Sequence, residues 1–445
     1  MPDRAFPAAA LVAACLAAQP ALTSQAWGAP RLTPAEAKMV AAIDADRGRN
    51  LKLLEELVRV NSGTMNLAGV ERVGAMLRPE FEQLGFTVRW IPMAHAGRAG
   101  HLVATHKGDG RGKRMLLIGH LDTVFEPDSG FLGWKVEGDI AEGPGVGDMK
   151  GGDVIIVAAL RAMQAAGTLK DADITVVLTG DEEKPGAPLS VVRADLVEAA
   201  RKSDVALDFE GLSRSGGKDI GSIARRSSTS WTLHAGARSG HSSGVCRGDA
   251  GCGAIYELAR ILDEFRRELP EPNLTYNVGL ILGGSQAELN GDDTGGTAAG
   301  KPNVIASTAI ARGDIRTLSP EQEARVRERM QAIVARHLDR TEARLAFSDD
   351  GYPPMAPTDG NRALLARLNA VNASLGLPEM PAGDPANRGA GDISFVAFID
   401  GLVGLGMAGE GSHAPGETAD LRSLDIQAKR AALLMSRLAK EPRAK

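Results

Sequence analysis

The sequence lacks a basic cluster and a membrane-spanning segment, and it has few cysteines. It has no block of lysine or arginine residues and a formal net charge of -5, which excludes a strong electrostatic attraction to nucleic acid or to an anionic membrane. Beyond the N-terminus, no apolar run approaches the roughly 20 residues of a membrane-spanning helix. Only three cysteines are present. Two of them, Cys246 and Cys252, are close enough in sequence to form a disulfide in an oxidising compartment, the alternative being two free thiols.

The first thirty residues differ in composition from the rest of the chain. Arg4 precedes an Ala-, Leu- and Val-rich stretch that ends near Leu22, and small residues follow up to Gly28. This pattern predicts a signal peptide over residues 1–28 and a soluble mature protein in the periplasm or outside the cell. The alternative is a lipoprotein cleavage site at Cys15, which would tether the protein to a membrane.

Hydrophobic periodicity divides the remaining chain into two kinds of unit. Strands and helices alternate over residues 31–223 and again over 350–445, which predicts one α/β catalytic domain with a mixed, largely parallel sheet flanked by helices. Residues 224–349 follow the order β-α-β-β-α-β, which predicts an inserted α+β, ferredoxin-like domain. Within it, the Gly-, Asp- and Thr-rich residues 285–302 are predicted to be a mobile loop. Late in the chain, residues 401–407 are predicted to be a strand.

Histidine and acidic residues follow the predicted strands or open a helix at five points. In chain order they are His120 and Asp122, Asp148, Asp181 to Glu183, Asp208 and Glu210, and His413. Each signal alone has an ordinary structural explanation, such as a helix N-cap or a solvated turn. Together they favour a metal site, because ligands cluster at the carboxyl ends of parallel strands and zinc accepts nitrogen and oxygen donors. A calcium-binding adhesion module is excluded by the histidines.

The order and spacing of these motifs resemble the di-zinc metallopeptidases, a family that includes glutamate carboxypeptidase, aminoacylase, and the acetylornithine and succinyl-diaminopimelate deacylases. The resemblance spans about residues 35–440, and the inserted domain matches the family's lid and dimerisation domain. The motifs that carry it are residues 119–124, 143–152, 181–183, 208–210 and 412–414.

The resemblance implies a cofactor of two zinc ions per subunit, with cobalt or manganese as alternatives. Asp148 would bridge the two ions, and the peptide bond that follows it would be cis. One ion would also be held by His120 and Glu210, and the other by Glu183 and His413.

The same resemblance implies the catalytic and substrate-binding residues. Glu182 would be the general base, and Asp122 would orient the ring of a metal-bound histidine. His241, in the lid, would reach the partner subunit's site and stabilise the oxyanion. Asn303 and Arg316 would bind the free carboxylate of the substrate.

Two further positions bear on the substrate. Gly391 lies in a glycine-rich turn that resembles the turn beside the substrate in the family. Relatives specific for glutamate tend to carry an arginine before a proline near the end of the lid, whereas Tyr352 precedes Pro353 here. Recognition of a glutamate side chain is therefore not expected from this position.

The function implied is that of a homodimeric zinc exopeptidase of the glutamate carboxypeptidase type, which cleaves a peptide bond beside a free carboxylate. The alternative within the family is an N-acyl-amino-acid amidohydrolase. The alternative to an enzyme is a catalytically silent peptide-binding protein with the same fold. Such a protein would be expected to have lost the general base or a metal ligand. The substrate is accordingly a small peptide or an N-acyl amino acid.

Overall fold

The structure is a computed structural model that describes residues 31–291 and 293–443. The predicted signal peptide and Cys15 lie outside the described residues. Within them, no helix combines the length and the apolar character needed to cross a bilayer. The α-helices of the described residues are α1 (Pro34–Val58), α2 (Leu67–Glu82), α3 (Gly151–Ala166), α4 (Leu189–Val192), α5 (Ala194–Arg201), α6 (Ala254–Glu268), α7 (Pro320–Val334), α8 (Asp359–Leu375) and α9 (Leu421–Leu438).

The strands of the described residues form five sheets. They are β1 (Thr87–Pro92), β2 (Gly100–His106), β3 (Arg114–His120), β4 (Lys135–Glu137), β5 (Ile140–Glu142), β6 (Asp173–Thr179), β7 (Val205–Asp208), β8 (Ser213–Ser215), β9 (Lys218–Ile220), β10 (Thr229–Ala237), β11 (Thr275–Gly284), β12 (Gln286–Leu289), β13 (Gly296–Ala299), β14 (Thr308–Arg316), β15 (Thr341–Phe347), β16 (Asp400–Val403), β17 (Gly409–Glu410) and β18 (Thr418–Asp420).

The central sheet has the strand order β1-β2-β6-β3-β7-β16 and is parallel from β6 to β16. Its middle strand β3 is buried almost throughout, as expected for an apolar strand covered on both faces. One face carries α1, α3 and α9, whose apolar residues form the largest core cluster, and α5 packs on the other face. The predicted fold class is therefore confirmed.

The parallel strands bring their carboxyl ends to one edge of this sheet. His120 is the last residue of β3, Asp208 is the last residue of β7, and Thr179 ends β6 just before the acidic segment. The prediction that residues 401–407 form a strand is wrong in part, because β16 ends at Val403. Gly404 then adopts a φ of 89°, which turns the chain across the end of β7.

The helices and the main sheet of the inserted unit follow the predicted order β-α-β-β-α-β, with the separate strands β12 and β13 between β11 and β14. Its antiparallel sheet has the order β11-β14-β10-β15, and α6 and α7 cover one face around the buried Trp231. The predicted mobile loop at 285–302 is wrong, because β12 and β13 form a hairpin there. Cys246 and Cys252 form a disulfide in the loop between β10 and α6.

Two paired segments connect the inserted unit to the rest of the chain. Arg225 exchanges both backbone hydrogen bonds with Met355, and Ser228 does the same with Tyr352. The predicted domain boundaries at residues 224 and 349 fall beside these pairs. We refer to residues 225–228 and 352–355 together as the hinge.

Candidate metal centre

The first group of possible ligands lies at the ends of β3 and β7. The Nε2 atom of His120 is 3.2 Å from an Asp148 carboxylate oxygen and 3.5 Å from a Glu210 carboxylate oxygen. The three donor atoms of this group lie within 4.8 Å of one another. His120 is buried, so it presents a fixed nitrogen rather than a mobile surface side chain.

The second group shares Asp148 with the first. The Nε2 atom of His413 is 3.1 Å from the other Asp148 carboxylate oxygen and 3.2 Å from a Glu183 carboxylate oxygen. His413 lies in the loop between β17 and β18, where its φ of 66° follows the turn at Gly411. The two oxygens of Asp148 thus face different groups, which is the geometry of a bridging carboxylate.

The turn that carries Asp148 precedes α3 rather than belonging to it. Gly145 takes a φ of 75°, and the peptide bond between Asp148 and Met149 is cis, as the resemblance implies. The buried Lys150 anchors the turn by donating from Nζ to the carbonyl oxygen of Val60 at 2.8 Å. This geometry turns the Asp148 side chain towards the two histidines.

Sequence reasoning missed the residue that holds this turn from the other side. The carboxylate of Glu417 accepts three backbone N–H groups, from Gly145 at 2.9 Å, Gly147 at 2.7 Å and Asp148 at 2.9 Å. Glu417 follows His413 by four residues, so one loop supplies both a possible ligand and the support of the Asp148 turn. The sequence signal for Glu417 was its spacing of four residues from His413. An exposed glutamate without any role could stand at the same spacing.

Asp122 does more than the sequence predicted. The Nδ1 atom of His120 lies 3.0 Å from the Asp122 carbonyl oxygen and 3.4 Å from its carboxylate, so both can orient the ring. The carboxylate also accepts the backbone N–H groups of Glu182 at 3.0 Å and Glu183 at 3.1 Å. Asp122 therefore links the first histidine to the segment that carries the predicted base.

Asp181, the first of the three adjacent acids, pairs with Arg193 and belongs to neither group of possible ligands. Arg193, buried on α4's C-terminal side, donates from Nη1 to the Asp181 carboxylate at 2.5 Å and from Nε to Asp392 at 2.7 Å. Asp181 thus turns away from the histidines. Glu182 and Glu183 remain as the acids directed to the site.

The chemistry of the remaining acids fits bound cations. Burial raises the pKa of Glu183 to about 7, and one of its carboxylate oxygens is buried without a hydrogen-bond partner among the described residues. Burial also raises the pKa of Glu182 well above its ordinary value, and the nearby carboxylate of Glu210 adds to that effect. Divalent cations would remove this cost of clustered negative charge, and the nitrogen and oxygen donors suit zinc.

Asp208, the competing acid before Glu210, faces an arginine that sequence reasoning also missed. A terminal nitrogen of Arg225 lies 3.8 Å from Asp208 and 3.7 Å from Glu210, and this Nη1 atom makes no hydrogen bond to any described residue. Arg225 donates from Nε to the carbonyl oxygen of Gly389 at 2.7 Å. A Cβ on Gly391 would lie 2.5 Å from Nη1, so this glycine gives Arg225 its space.

A cavity of about 610 Å³ adjoins the centre. It is lined by Gly147, Gly211 and Ser412, each of which is next in sequence to a predicted ligand. Arg388 also lines it, donating to the Ser213 hydroxyl at 2.6 Å and, among the described residues, lying within 4 Å of no carboxylate. The cavity therefore offers a guanidinium charge beside the possible metal ligands.

The predicted lid residues occupy two places. Asn303 lies beside His241, because the carbonyl of Asn303 accepts the N–H of Ser242 at 3.0 Å, and both side chains are exposed. Across the described part of the chain, no hydrogen bond or ion pair joins either side chain to the metal-ligand groups. Arg316 pairs with Asp314 at 2.9 Å, and its Nη1 atom lies 4.0 Å from where a Cβ of Gly389 would be. Arg316 is thus beside the glycine-rich turn.

Comparison with known proteins identifies relatives over most of the chain. The chain is 27% identical over 382 residues to carboxypeptidase G2 of Pseudomonas sp. (strain RS-16), covering 82% of this chain and 83% of that protein. It is 28% identical over 370 residues to the succinyl-diaminopimelate desuccinylase of Novosphingobium aromaticivorans, covering 79% and 88% of the two chains.

Solved structures share the fold. Aminopeptidase PepT from Bacillus cereus superposes with a TM-score of 0.69 at 19% identity, covering 88% of this chain and 99% of that chain. The Bacillus subtilis YXEP protein, described as a dinuclear metal-binding peptidase, superposes with a TM-score of 0.60 at 16% identity, covering 89% and 99%.

A family model described as "Peptidase family M20/M25/M40" matches residues 116–437. This range includes every residue of the two ligand groups, and the match confirms the family predicted from the motifs. The chain therefore belongs to peptidase family M20/M25/M40 and is a metal-dependent hydrolase of the peptidase and deacylase type.

Proposed function

We propose that the protein is a zinc-dependent carboxypeptidase that cleaves an amide bond next to a free carboxylate. The observation that carries this proposal is Asp148, whose two oxygens face two separate histidine–carboxylate groups while Glu182 lies on the adjoining segment. In this assignment Asp148 would contribute to both ions, and the other members of each group would hold one ion each. Cobalt and manganese remain the alternatives to zinc.

Each part of the site has a defined task in the reaction. Two divalent ions, when bound, would polarise the scissile carbonyl as Lewis acids. Glu182 takes a proton from the attacking water and delivers it to the leaving amine, and Asp122 keeps both His120 and the Glu182 backbone in place. His120 and Asp208, which end β3 and β7, are buried, which limits the access of bulk water to these two side chains.

The arginines support a substrate that carries a carboxylate. Arg316 is beside the glycine-rich turn, and Arg388 lines the adjoining cavity with no carboxylate partner among the described residues. A planar guanidinium binds a carboxylate through two parallel hydrogen bonds. Tyr352 is buried against protein groups and offers no guanidinium, so a glutamate side chain has no receptor there.

A deacylase is the second candidate, because the cavity supplies a second positive group. A substrate with an acid on each side of the scissile bond, such as a succinylated amino acid, would use both Arg316 and Arg388. A dipeptide with a neutral N-terminal residue would use only one. Substrate preference therefore separates the two candidates.

The test is hydrolysis of C-terminal dipeptides, N-acetyl and N-succinyl amino acids by the zinc-loaded protein, with Glu182→Gln alongside. We expect the wild type to cleave members of this panel, and the variant to bind two zinc ions and to cleave none. Glu137→Gln is the matched control, because the Glu137 side chain is 77% exposed and lies outside the centre. A wild-type protein that binds two zinc ions but cleaves nothing would favour a binding protein.

We also propose that the enzyme is a homodimer in which His241 completes the partner's site through the lid. Support comes from the exposure of His241 and from its separation from the ligand groups within one described chain. Mixing Glu182→Gln with His241→Ala tests this, since a mixed dimer has one site with both residues intact. Recovery of activity supports the proposal, and a mixture as inactive as its components refutes it.

The remaining proposals concern export and domain limits. We propose that residues 1–28 are a cleaved signal peptide, with processing at Cys15 as the alternative, and that the mature enzyme is periplasmic or secreted. The mass of the exported protein distinguishes these possibilities.

We further propose that residues 224–349 are the lid, inserted between catalytic segments 31–223 and 350–445. Proteolysis at the two hinge segments tests these limits.

A further inference from the structure

The backbone that carries Glu182 is held from both sides by buried side chains. On one side, Asp122 accepts the N–H groups of Glu182 and of the next residue, at 3.0 and 3.1 Å. On the other side, Arg193 donates to the carbonyl oxygen of Asp181 at 3.1 Å, and the Tyr352 hydroxyl lies 3.0 Å from the carbonyl oxygen of Glu182. All four bonds act on the main chain, so the Glu182 carboxylate stays available.

The direction of the Tyr352 hydrogen bond follows from its neighbours. Arg193 can only donate, and its Nη2 atom lies 2.8 Å from the Tyr352 oxygen. The hydroxyl proton is then directed to the Glu182 carbonyl, since the Asp392 carboxylate is farther away, at 3.4 Å, and already accepts Arg193. The ring is fixed edge-on against Phe395, with centroids 4.8 Å apart.

Tyr352 belongs to the hinge as well as to this network. Its backbone exchanges hydrogen bonds with Ser228 at 2.9 and 3.0 Å, so its main chain is part of the connection to the inserted unit. Its side chain, 8% exposed, crosses to the catalytic segment. A single residue therefore connects the hinge with the backbone of Glu182.

We propose that Tyr352 is a positioning residue that sets the orientation of the general base Glu182 through its hydroxyl. The inference rests on the proposed function of Glu182. Tyr352 stands where relatives specific for glutamate tend to carry an arginine. In this protein the side chain at that position would act on the backbone of Glu182 rather than on the substrate.

The test is Tyr352→Phe, which keeps the ring, its contact with Phe395 and the backbone pairing. We expect kcat to fall roughly tenfold, because one hydrogen bond that orients the base is lost. KM and zinc affinity should stay within about twofold of the wild type, because the predicted ligands and Arg316 are untouched. Tyr256→Phe is the matched control, since Tyr256 is 59% exposed.

A second variant separates positioning from hinge stability. Met355→Ala alters the same hinge segment at a residue that is 1% exposed and packs in the apolar core, and no hydrogen bond among the described residues joins Met355 to Glu182. We expect it to lower the melting temperature and to leave kcat unchanged below that temperature. An equal loss of kcat in Met355→Ala, or a kcat for Tyr352→Phe within twofold of wild type, would overturn the inference.

The two proposals fail in different ways. An active wild type with an unaffected Tyr352→Phe variant refutes the positioning role alone. A zinc-loaded wild type that cleaves no substrate refutes the proposed function and this inference with it.

Discussion

Replacing Glu417 with glutamine should weaken metal binding without removing any ligand. The carboxylate of Glu417 accepts N–H groups from Gly145, Gly147 and Asp148 at 2.7 to 2.9 Å. A glutamine has one acceptor oxygen, and its amide nitrogen would oppose at least one of these donors. The turn that presents the bridging residue would then lose part of its support.

The size of the effect follows from these contacts. A hydrogen bond to a charged acceptor contributes about 1.5–3 kcal/mol, but burial raises the pKa of Glu417 to about 7, so the carboxylate is only partly charged at neutral pH. Supporting residues of metal sites typically alter affinity by about 10- to 100-fold. We therefore expect zinc affinity to fall by this factor, about 1.4–2.7 kcal/mol.

The assay is competition for zinc with a chromophoric chelator at pH 8, where Glu417 is largely ionised. Glu410→Gln is the matched control, because Glu410 is an exposed glutamate on the neighbouring strand β17. We expect the control to bind zinc as the wild type does. An affinity of Glu417→Gln within twofold of that control would refute the argument that the three N–H contacts hold the bridging residue.

Gly391→Ala should lower kcat/KM at least tenfold, because the new Cβ would lie 2.5 Å from Nη1 of Arg225 and displace that side chain. Gly389→Ala is the control, since its Cβ would lie 4.0 Å from its nearest neighbour. Equal kinetics of the two variants would contradict this reasoning. Replacing Cys246 and Cys252 by serine should lower stability by about 2 kcal/mol, and the disulfide would have no such role if melting temperature and activity stayed unchanged. Chelation should abolish hydrolysis, and adding zinc, cobalt or manganese should restore it; activity that persists in fully chelated protein would contradict the metal assignment.

Most of the fold could be predicted because local patterns and tertiary structure agree. Helix α3, residues 151–166, is long and apolar and is almost wholly buried, as the predicted alternation of strands and helices requires. The errors occur where long-range pairing decides the structure. Residues 285–302 are rich in loop formers, yet β12 and β13 pair with each other there.

The residues of the candidate centre could be predicted, but their supports could not. His120, Asp148 and His413 stand in motifs with a recognisable order, whereas Arg193 and Arg225 are single arginines with no local signal. Their importance follows from burial beside carboxylates on other elements, Arg193 beside Asp392 and Arg225 beside Glu210. Such partners become visible only when the strands are placed side by side.

The sequence by itself determined which residues can act as ligands and base, because donor chemistry belongs to the side chain and the motifs follow apolar strands. The tertiary structure decided how each carboxylate is used. Asp181 is neutralised by Arg193, Glu417 holds backbone N–H groups, and Asp148 faces two histidines. The physical reason is that the charge state and role of a buried carboxylate depend on what surrounds it, and folding brings those neighbours from distant parts of the chain.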